Sequence, residues 1–534
     1  MVEDTTTYDD KQKKDLADIR KEVRSRINTE ALAYPDVGTN NGKVSSPFVR
    51  QCLYASELGD GLLYAALLKD RYVYNNTAKE WLKWGGHNWE RDIMETSLAS
   101  TEVVVDRLIE EAGHVAEDIA WNTKKGDKKR VKELQKTQAV IYGRITRFRT
   151  DKGRNLALKF ARTNNDPLAI RGDEMDLHPW LLPCKNGILD LKTGIFRDGR
   201  PDEYMFLASP TEWKDLKEPC PRWEKFLFEI FEEKQEMVDY IQRLLGYAIT
   251  GLNIEHIFPV FWGPGGRNGK GKIVEAMNFV LGDLSGAIQS EMLLDQKRPR
   301  SSQGPSPDIL TLKGLRMAFA SETDEGQRFS AAKVKWLTGG DQLVGRYPHD
   351  KYNLRFEPTH SLFLLTNRKP MAPGDDFAFW ERMHLIPFRL RYVDREPAEE
   401  NERRADKYLG DKLKKEASGI LAWLVRGCLE YQKQGLKPPK EILEATAEYR
   451  RDEDILADWL EDYCDIGPDE KGQASDLHDH FVKWFRKNVS KKKDFSQRRF
   501  GTLMGRRFEK SKAVGITYYT GVDLNPAAPP INDD

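Results

Sequence analysis

A glycine-rich segment between an apolar run and a helix-like run constrains the fold of this chain more than any other feature. The segment is Gly263-Pro-Gly-Gly-Arg-Asn-Gly-Lys-Gly-Lys272, between the runs Ile257 to Trp262 and Ile273 to Leu281. Successive glycines let backbone N–H groups turn inward around a polyphosphate, the following helix directs its positive end at it, and a lysine bridges the terminal phosphates. The segment therefore predicts a strand, a phosphate-binding loop and a helix. A glycine-rich turn before a helix is the alternative.

The two lysines allow two registers of the phosphate-loop pattern G-x-x-x-x-G-K-[ST]. With Lys270 as the phosphate lysine, Pro264 occupies the first position and Gly271 follows the lysine; one register later, Lys272 is followed by Ile273. Neither register supplies the hydroxyl that usually ligates Mg²⁺. The candidate nucleotide-binding residues are Gly265, Gly266, Arg267, Asn268, Gly269, Lys270, Gly271 and Lys272.

Length and composition exclude several classes of protein. The chain has 534 residues, with 85 Lys+Arg and 85 Asp+Glu, which is enough for roughly three or four domains. Because the net charge is zero, nucleic-acid contacts are expected only from local patches. The 5 cysteines form no C-x-x-C pair, so we expect neither a zinc module nor a disulfide framework. This pattern predicts that the protein works in a reducing compartment. No apolar run approaches the roughly 20 residues that span a bilayer, and we predict no membrane association.

The chain is predicted to consist of five parts. They are an arm (1–45), a helical N-terminal domain with some β structure (46–215), an α/β ATPase region with flanking helices (216–451), a small basic domain (454–524) and a tail (525–534). Lys124, Lys125, Lys128, Lys129 and Arg130 form a basic run in the second part. We interpret this run as a solvated helix end, with a DNA contact as the alternative.

Acidic residues follow the next predicted strand after the loop. The apolar run Met317 to Ala320 ends in Ser321-Glu322, and Asp324 lies just beyond. A carboxylate at the tip of a buried strand beside a phosphate site can hold Mg²⁺ through water or orient the attacking water. Glu322 is the first candidate for this role and Asp324 the second. An ordinary acidic turn after a strand is the alternative.

Two further polar residues flank later strands. Asn367 follows the apolar run Ser361 to Leu365 and is a candidate to hold the γ-phosphate or the water, or else a simple turn residue. Arg382 precedes the strand-like run Met383 to Phe388. It is either a surface ion-pair partner or an arginine that reaches the nucleotide of a neighbouring subunit.

The order of these motifs resembles that of the superfamily 3 DNA helicases of the phage and plasmid primase-helicase, or poxvirus, type. The motifs in order are Asn268-Gly-Lys270, Ala320-Ser-Glu322, Lys335-Trp-Leu-Thr-Gly-Gly-Asp341, Leu365-Thr-Asn-Arg-Lys-Pro370, Trp380-Glu-Arg382 and Ile386-Pro-Phe388. Three segments before the loop resemble the corresponding region of that family: Asn186 to Gly194, Cys220 to Leu227 and Leu244 to Gly251. Together they cover about residues 180–395.

The resemblance implies an AAA+-like P-loop ATPase that binds ATP and Mg²⁺, assembles as a ring, commonly hexameric, and translocates on single-stranded DNA. By position it makes Lys270 the loop lysine, Glu322 the carboxylate that holds Mg²⁺ through water, and Asn367 the sensor. Arg382 matches the arginine given to the next subunit. The family also places a β-hairpin in the ring's channel, which here corresponds to Gly345 to Tyr352.

The hairpin contains two candidates for DNA contact. Elsewhere the chain departs from the family pattern in two respects, the residue after the loop lysine and the primase domain. His349 and Lys351 near the hairpin tip are candidates to grip the DNA backbone, with an ordinary exposed hairpin as the alternative. Gly271 stands where the family has Ser or Thr. No apolar strand bears the paired carboxylates of a primase domain, so primer synthesis is not predicted and a separate primase is a possible partner.

The last part of the chain has the pattern of a winged helix that binds DNA. Three amphipathic helices are predicted at Asp454 to Cys464, Ser475 to Asn488 and Ser496 to Lys510, with Ser475 and Ser496 as N-caps. A strand pair over Val514 to Val522 follows. The candidate DNA contacts are Arg498, Arg499, Arg506, Arg507 and Lys510. A basic third helix can enter a major groove, and a solvated basic face is the alternative.

The complete prediction is an α/β protein with an AAA+-like P-loop ATPase core, a mostly helical N-terminal region and a C-terminal winged helix. The predicted function is an ATP-dependent, ring-forming helicase of phage- or plasmid-type DNA replication that acts on single-stranded and duplex DNA in the cytoplasm of a host cell. One alternative is an origin-binding or DNA-bridging initiator that binds ATP for assembly with little hydrolysis. A DNA-packaging ATPase is disfavoured, because a basic domain stands where an acidic nuclease domain would be expected.

Overall fold

The computed structural model describes residues 44–531, apart from 297–303, 322–326, 350–351, 375, 455, 489–494, 506 and 514. The chain forms two compact units, one ending at Met175 and the other beginning at Asp176. Most of the predicted arm lies outside the described residues. Within them, no helix is long and apolar enough to cross a membrane.

The first unit consists of six helices and a small sheet among its described residues. The elements are α1 (Ser46–Tyr54), α2 (Ser56–Leu68), β1 (Tyr72–Asn75), β2 (Glu80–Trp84), β3 (Trp89–Arg91), α3 (Thr96–Ala99), α4 (Thr101–Lys124), α5 (Lys128–Phe148), α6 (Asp151–Ala161) and β4 (Ala169–Ile170). The strands lie in the order β3-β2-β1-β4, with β4 parallel to β1. This sheet interrupts a stretch that the sequence pattern predicted as mostly helical.

Apolar residues at helical spacing build the core of the first unit. In α4, Val104, Leu108, Ala112 and Val115 are buried at intervals of three or four residues, so they form one stripe of the helix. Helix α5 packs against α4 as an antiparallel hairpin and buries only three side chains: Leu134, Ile141 and Phe148.

The second unit begins with a three-stranded sheet and two helices. These are β5 (Leu181–Cys184), β6 (Gly187–Asp190), β7 (Ile195–Arg197), α7 (Pro221–Ile230) and α8 (Gln235–Ala248). Strands β6 and β7 form an antiparallel hairpin, and Gly194 turns with φ +73°.

A five-stranded parallel sheet follows and carries the phosphate-loop motif. Its elements are β8 (Phe258–Trp262), α9 (Lys270–Leu281), β9 (Ser285–Ile288), α10 (Pro307–Leu310), β10 (Met317–Ser321), α11 (Ala331–Thr338), β11 (Leu343–Gly345), β12 (Leu354–Phe356), β13 (Ser361–Thr366), α12 (Phe377–Trp380) and β14 (Met383–Pro387). The strand order is β14-β8-β13-β10-β9, and every pair is parallel. The molecule is therefore a mixed α/β protein with helical and parallel-sheet regions, as predicted.

The register of this sheet brings the ends of three strands together. Ser321 at the end of β10 pairs with Leu365 of β13, and Thr366 of β13 pairs with Trp262 of β8. Because all strands run in the same direction, the residues that follow β8, β10 and β13 emerge at one edge of the sheet.

Helices follow the sheet along the chain, and one of them packs with its backbone close to that of an earlier helix. The next elements are β15 (Arg391–Val393), β16 (Glu402–Arg404), α13 (Leu409–Lys415), α14 (Ala417–Gln434) and α15 (Lys440–Glu453). Helices α8 and α14 cross where Gly246 faces Gly427. A Cβ added at Gly427 would lie 2.1 Å from the Gln242 carbonyl oxygen, so only glycine permits this approach.

The buried guanidinium of Arg316 connects the strand region to the segment that precedes it. It donates to the carbonyl oxygens of Pro179 (2.9 Å) and Thr250 (2.7 Å), and also to those of His178 and Leu181 at 3.2 Å. Burial lowers the pKa of Arg316 to about 10. Four carbonyl partners are what a buried guanidinium needs to offset its desolvation.

The C-terminal region contains three helices and a three-stranded sheet in order β17-β19-β18. The elements are α16 (Ala457–Tyr463), β17 (Cys464–Gln473), α17 (Ala474–Asn488), α18 (Gln497–Met504), β18 (Glu509–Ala513) and β19 (Ile516–Leu524). Strand β17 was not predicted. Ser496 caps α18 as predicted, accepting from the Arg499 backbone N–H at 3.3 Å.

Two predictions for this region are wrong. The third helix ends at Met504 rather than Lys510, because Glu509–Ala513 pairs in antiparallel register with β19. Arg507 and Lys510 therefore do not lie on that helix, and Lys510 belongs to β18. Ser475 is the second residue of α17, not its N-cap, and its hydroxyl accepts from the Gln473 side-chain amide.

Candidate functional site

The glycine-rich segment forms a tight loop between β8 and α9. Gly265, Gly266 and Gly269 have φ values of +72°, +71° and +89°, and Arg267 has φ +55°. Consecutive residues in this region turn their N–H groups toward a common concavity, a geometry that binds anions. The loop lies over Asn367, whose Oδ1 is 4.0 Å from the position of a Cβ added at Gly266.

The ammonium group of Lys270 lies at the centre of the site. Lys270 is only 6% exposed. Its Nζ donates to the Gly263 carbonyl oxygen (2.9 Å), to Asn268 Oδ1 (2.7 Å) and to Asn367 Oδ1 (3.1 Å). All three acceptors are neutral, and burial lowers the pKa of Lys270 to about 8. A buried cation without a carboxylate partner among the described residues suits an anionic ligand.

Asn268 and Asn367 reach this ammonium from different elements. Asn268 is 3% exposed; its amide also donates to the Pro264 carbonyl oxygen at 3.2 Å, which holds the loop closed. Asn367 directly follows β13 and is brought to the loop by the parallel register described above. The structure thus places together three of the residues that the sequence analysis selected.

Lys272 and Arg267 face outward instead. The Lys272 Nζ lies 2.5 Å from Glu275 Oε2, and the Arg267 guanidinium lies 2.9 Å from Asp394 Oδ2. The backbone of Arg267 accepts a hydrogen bond from the Tyr392 N–H at 2.8 Å. Between the two lysines, only Lys270 is buried in the loop.

The position of Gly271 is sterically open. It is the second residue of α9 and is exposed, and a Cβ added there would meet nothing within 4 Å. The missing hydroxyl therefore does not result from crowding in the loop.

The proposed metal-holding carboxylates, Glu322 and Asp324, lie outside the described residues. Ser321, immediately before them in the chain, ends β10 at the same sheet edge as the loop. Among the described residues, no group of three or more His, Cys, Asp or Glu side chains could hold a metal ion.

Arg382 lies at the opposite edge of the sheet from the loop. Its carbonyl oxygen accepts from the N–H of Phe258, the first residue of β8, and its Nη1 donates to the Ala378 carbonyl oxygen at 2.7 Å. The loop begins after Trp262, so four residue steps of about 3.3 Å each separate the two positions along β8. Within one chain, Arg382 and Lys270 therefore lie at opposite ends of β8.

A cavity of about 1080 Å³ opens beside the loop. Phe226, Leu390, Tyr392 and Leu409 contribute its apolar surface, and Gly269 belongs to its wall. Burial raises the pKa of Tyr392 to about 12, and its hydroxyl is buried with no hydrogen-bond partner among the described residues. This cavity was not predicted from the sequence, because Phe226, Tyr392 and Leu409 come from α7, β15 and α13, which no local motif connects.

The candidate DNA contacts lie on two other elements. Strands β11 and β12 form an antiparallel hairpin; His349 is exposed in its connection with φ +68°, and Lys351 lies outside the described residues. In the C-terminal region, Arg498 and Arg499 are exposed on α18. Arg507 is paired with Asp454, Lys510 lies 5.6 Å from the ring centroid of Tyr519, and Arg506 lies outside the described residues.

Comparisons with known proteins show which proteins the chain is similar to. Residues 62–232 match the family model described as D5 N terminal like. The chain is 26% identical over 475 residues to a putative helicase of Acanthamoeba polyphaga mimivirus, covering 85% of this chain and 48% of the relative. It is 26% identical over 263 residues to the uncoating factor of Vaccinia virus, covering 46% of this chain and 32% of the relative.

These similarities support the resemblance to D5-type proteins that was inferred from the motifs. The chain is also 25% identical over 346 residues to a putative helicase of Invertebrate iridescent virus 3, covering 60% of this chain and 36% of the relative. It thus spans about half, or less, of the length of these relatives. Among solved structures, the apo C-terminal region of NrS-1 matches with 13% identity and a TM-score of 0.35, covering 58% of this chain and 77% of that one.

Proposed function

We propose that this chain is the motor part of a viral DNA replication protein, a helicase that hydrolyses ATP to move along single-stranded DNA. The observation that carries the proposal is the ammonium of Lys270, buried in a glycine-rich loop and bonded only to neutral oxygens. Such a cation is poised to exchange those acceptors for the β- and γ-phosphates of a nucleotide.

The cavity beside the loop supplies room for the rest of the nucleotide. Its volume of about 1080 Å³ exceeds what one nucleotide needs, and the half-buried ring of Tyr392 offers a surface for a base. Mg²⁺ would neutralise charge on the transferred phosphate, and Glu322 and Asp324 are the residues proposed to hold it through water. Asn367, already 3.1 Å from Lys270 Nζ, is proposed to orient the attacking water or the γ-phosphate.

Arg382 is proposed to act on the nucleotide of a neighbouring copy. Its distance from its own loop supports a role between subunits, in a ring such as the hexamer expected from the family. In this arrangement one copy provides Lys270 and the next provides Arg382. Arg382→Ala should therefore bind nucleotide but not turn it over.

Mixing two inactive variants tests this division of labour. In a mixture of Lys270→Ala and Arg382→Ala chains, about a quarter of randomly formed heterologous interfaces would combine an intact Lys270 with an intact Arg382. Turnover should reappear on mixing. A mixture as inactive as its components would contradict the proposal for Arg382.

DNA is proposed to contact two surfaces of the second unit. The β11–β12 hairpin, with His349, would grip a single strand inside the ring. The C-terminal region is proposed to be a winged helix in which α18 presents Arg498 and Arg499 to a duplex, and Lys510 on β18 acts from the neighbouring sheet. A separately encoded primase is a further possible partner.

ATP turnover with and without single-stranded DNA tests the proposed function directly. We expect turnover that DNA stimulates and that Lys270→Ala abolishes, together with unwinding of a forked duplex. Lys272→Ala is the matched comparison within the same loop. If Lys272→Ala abolishes turnover while Lys270→Ala retains it, the phosphate lysine has been assigned in the wrong register.

Gly271 favours a second candidate function, an origin-binding or DNA-bridging initiator that uses ATP for assembly with little hydrolysis. The hydroxyl that usually ligates Mg²⁺ is missing at this position. This candidate predicts nucleotide-dependent assembly and DNA binding without DNA-stimulated turnover, and the same assay distinguishes the two functions.

A further inference from the structure

The hairpin of α4 and α5 in the first unit projects beyond its hydrophobic core. The last buried side chain of α4 is Val115 and the first of α5 is Leu134, with no buried residue between them. The nine residues of α4 beyond Val115 extend about 14 Å at the rise of an α-helix. The basic tip is defined here as residues 121–136, and Leu134 is its single buried side chain.

The basic tip has a strong positive charge although the whole chain is neutral. Its cations are Lys124, Lys125, Lys128, Lys129, Arg130, Lys132 and Lys136, and its acids are Asp127 and Glu133. Both acids are engaged: Asp127 caps α5 by accepting from the Arg130 N–H at 3.0 Å, and Glu133 pairs with the Arg130 guanidinium at 3.1 Å.

Six lysines of the basic tip are exposed and have no ion-pair partner among the described residues. They are Lys124, Lys125, Lys128, Lys129, Lys132 and Lys136. Lys128, Lys132 and Lys136 are spaced by four residues, so their ammonium groups lie on one face of α5 and repel one another. This spacing forms a continuous row of positive charge along the projecting helix.

The position of these lysines opposes helix stability. Lys128 and Lys129 occupy the first turn of α5, where the helix dipole favours anions and disfavours cations. Neither burial nor pairing within the first unit offsets this cost. A polyanion bound to the row would offset it, and would account for a sequence that local stability does not favour.

Trp121 adds an aromatic surface to the basic tip. Its side chain is 57% exposed, and the Lys125 Nζ lies 3.4 Å from its ring centroid. Large aromatic side chains beside lysines stack on unpaired bases in proteins that bind single-stranded nucleic acid.

We propose that the basic tip is a DNA-binding arm of the first unit, which contacts the phosphate backbone without reading the sequence. Lysine is suited to this role, because its compact charge attracts phosphate without the planar geometry of a base contact. The arm belongs to the first unit and the motor site to the second, and we expect the arm to contact DNA without nucleotide. Single-stranded and duplex DNA present the same phosphate groups to the lysines. Only a single strand has unpaired bases that could stack on Trp121, so substitution of Trp121 distinguishes the two ligands.

The test is DNA affinity of the full chain, without nucleotide, as a function of salt. The variant combines Lys128→Gln, Lys132→Gln and Lys136→Gln; the control combines Lys217→Gln, Lys407→Gln and Lys415→Gln, which remove three exposed lysines elsewhere. Probes are a fluorescent oligonucleotide as a single strand and as a duplex. We expect the variant to bind about tenfold more weakly near physiological salt and the control to bind as the parent does.

The salt dependence identifies the contact. Losing three phosphate contacts should reduce the slope of log affinity against log salt by about 2 for a single strand and by about 3 for a duplex. Trp121→Ala should weaken binding by about tenfold only if the tip holds a single strand. Circular dichroism of the variants verifies the helices.

Equal affinity and equal salt slope for the variant and the control would overturn the proposal. The proposal would also be overturned if the lysine variant bound DNA as the parent does but no longer bound an acidic polypeptide such as polyglutamate. ATP turnover in the same samples tests the helicase proposal separately. If the parent protein does not hydrolyse ATP, the helicase proposal fails, but a lower DNA affinity of the lysine variant would still support the arm.

Discussion

The buried ammonium of Lys270 makes nucleotide affinity depend on pH in a range where an ordinary lysine would not. Burial lowers its pKa from 10.5 to about 8, so the nucleotide-free protein loses this charge as pH rises through 8. The phosphates of a bound nucleotide stabilise the charged form and raise the pKa again. Binding is therefore linked to proton uptake above pH 8, and affinity falls as pH rises.

The magnitude follows from the fraction of protonated Lys270. With a pKa of about 8, roughly ten elevenths of the chains are charged at pH 7 and roughly one eleventh at pH 9. We expect the dissociation constant of a fluorescent ATP analogue to rise about tenfold between these values. Equilibrium titration at pH 7, 8 and 9 measures this directly.

Two variants serve as controls for the pH effect. Lys270→Arg keeps its charge throughout this range, so its affinity should change little with pH even if its geometry is poorer. Lys270→Met should bind weakly at every pH. A parent protein with the same dissociation constant at pH 7 and 9 would refute the inference that an uncompensated, desolvated lysine is the main phosphate contact.

Three further predictions concern other residues. Gly271→Ser should keep the fold, since a Cβ there meets nothing within 4 Å, and should raise the Mg²⁺-dependent ATP turnover rate; unchanged turnover would show that the hydroxyl is not limiting. Gly427→Ala should destabilise the second unit by about 3 kcal/mol or more in urea unfolding, because its Cβ would lie 2.1 Å from the Gln242 carbonyl oxygen. Burial lowers the pKa of His384 to about 4. Between pH 6.5 and 4 the unfolded chain therefore binds a proton that the folded chain does not, and the free energy of unfolding decreases as the pH is lowered. His384→Gln should remove about 2 kcal/mol of the loss between pH 7.5 and 5.

Local sequence patterns were sufficient to predict four of the five strands of the parallel sheet and the loop, but not β9. The apolar runs at Met317 and Ser361 became β10 and β13, because short apolar runs that end in polar residues are typical of strands buried on both faces. The choice of Lys270 over Lys272 depended on a family pattern. The geometry distinguishes them physically: one ammonium is buried among neutral oxygens and the other is paired with Glu275.

Features that depend on distant parts of the chain could not be predicted in this way. The cavity beside the loop combines Phe226 of α7 with Tyr392 of β15, and no sequence period relates them. The third C-terminal helix was predicted too long because basic residues are compatible with a helix or a strand. Pairing with β19, a long-range interaction, decides that Lys510 is in a strand.

The distribution of ion pairs explains how a neutral chain can bind polyanions at separate places. Arginines neutralise buried carboxylates inside each unit: Arg50 and Arg107 pair with Glu111, and Arg395 pairs with Glu402. Each such pair cancels its own charges and contributes little to the external field. The lysines of the basic tip and Lys270 remain without such partners among the described residues, so net charge zero conceals local positive sites. Because these cations are not neutralised by a neighbouring acid, attraction for nucleotide and DNA is localised where we propose that each binds.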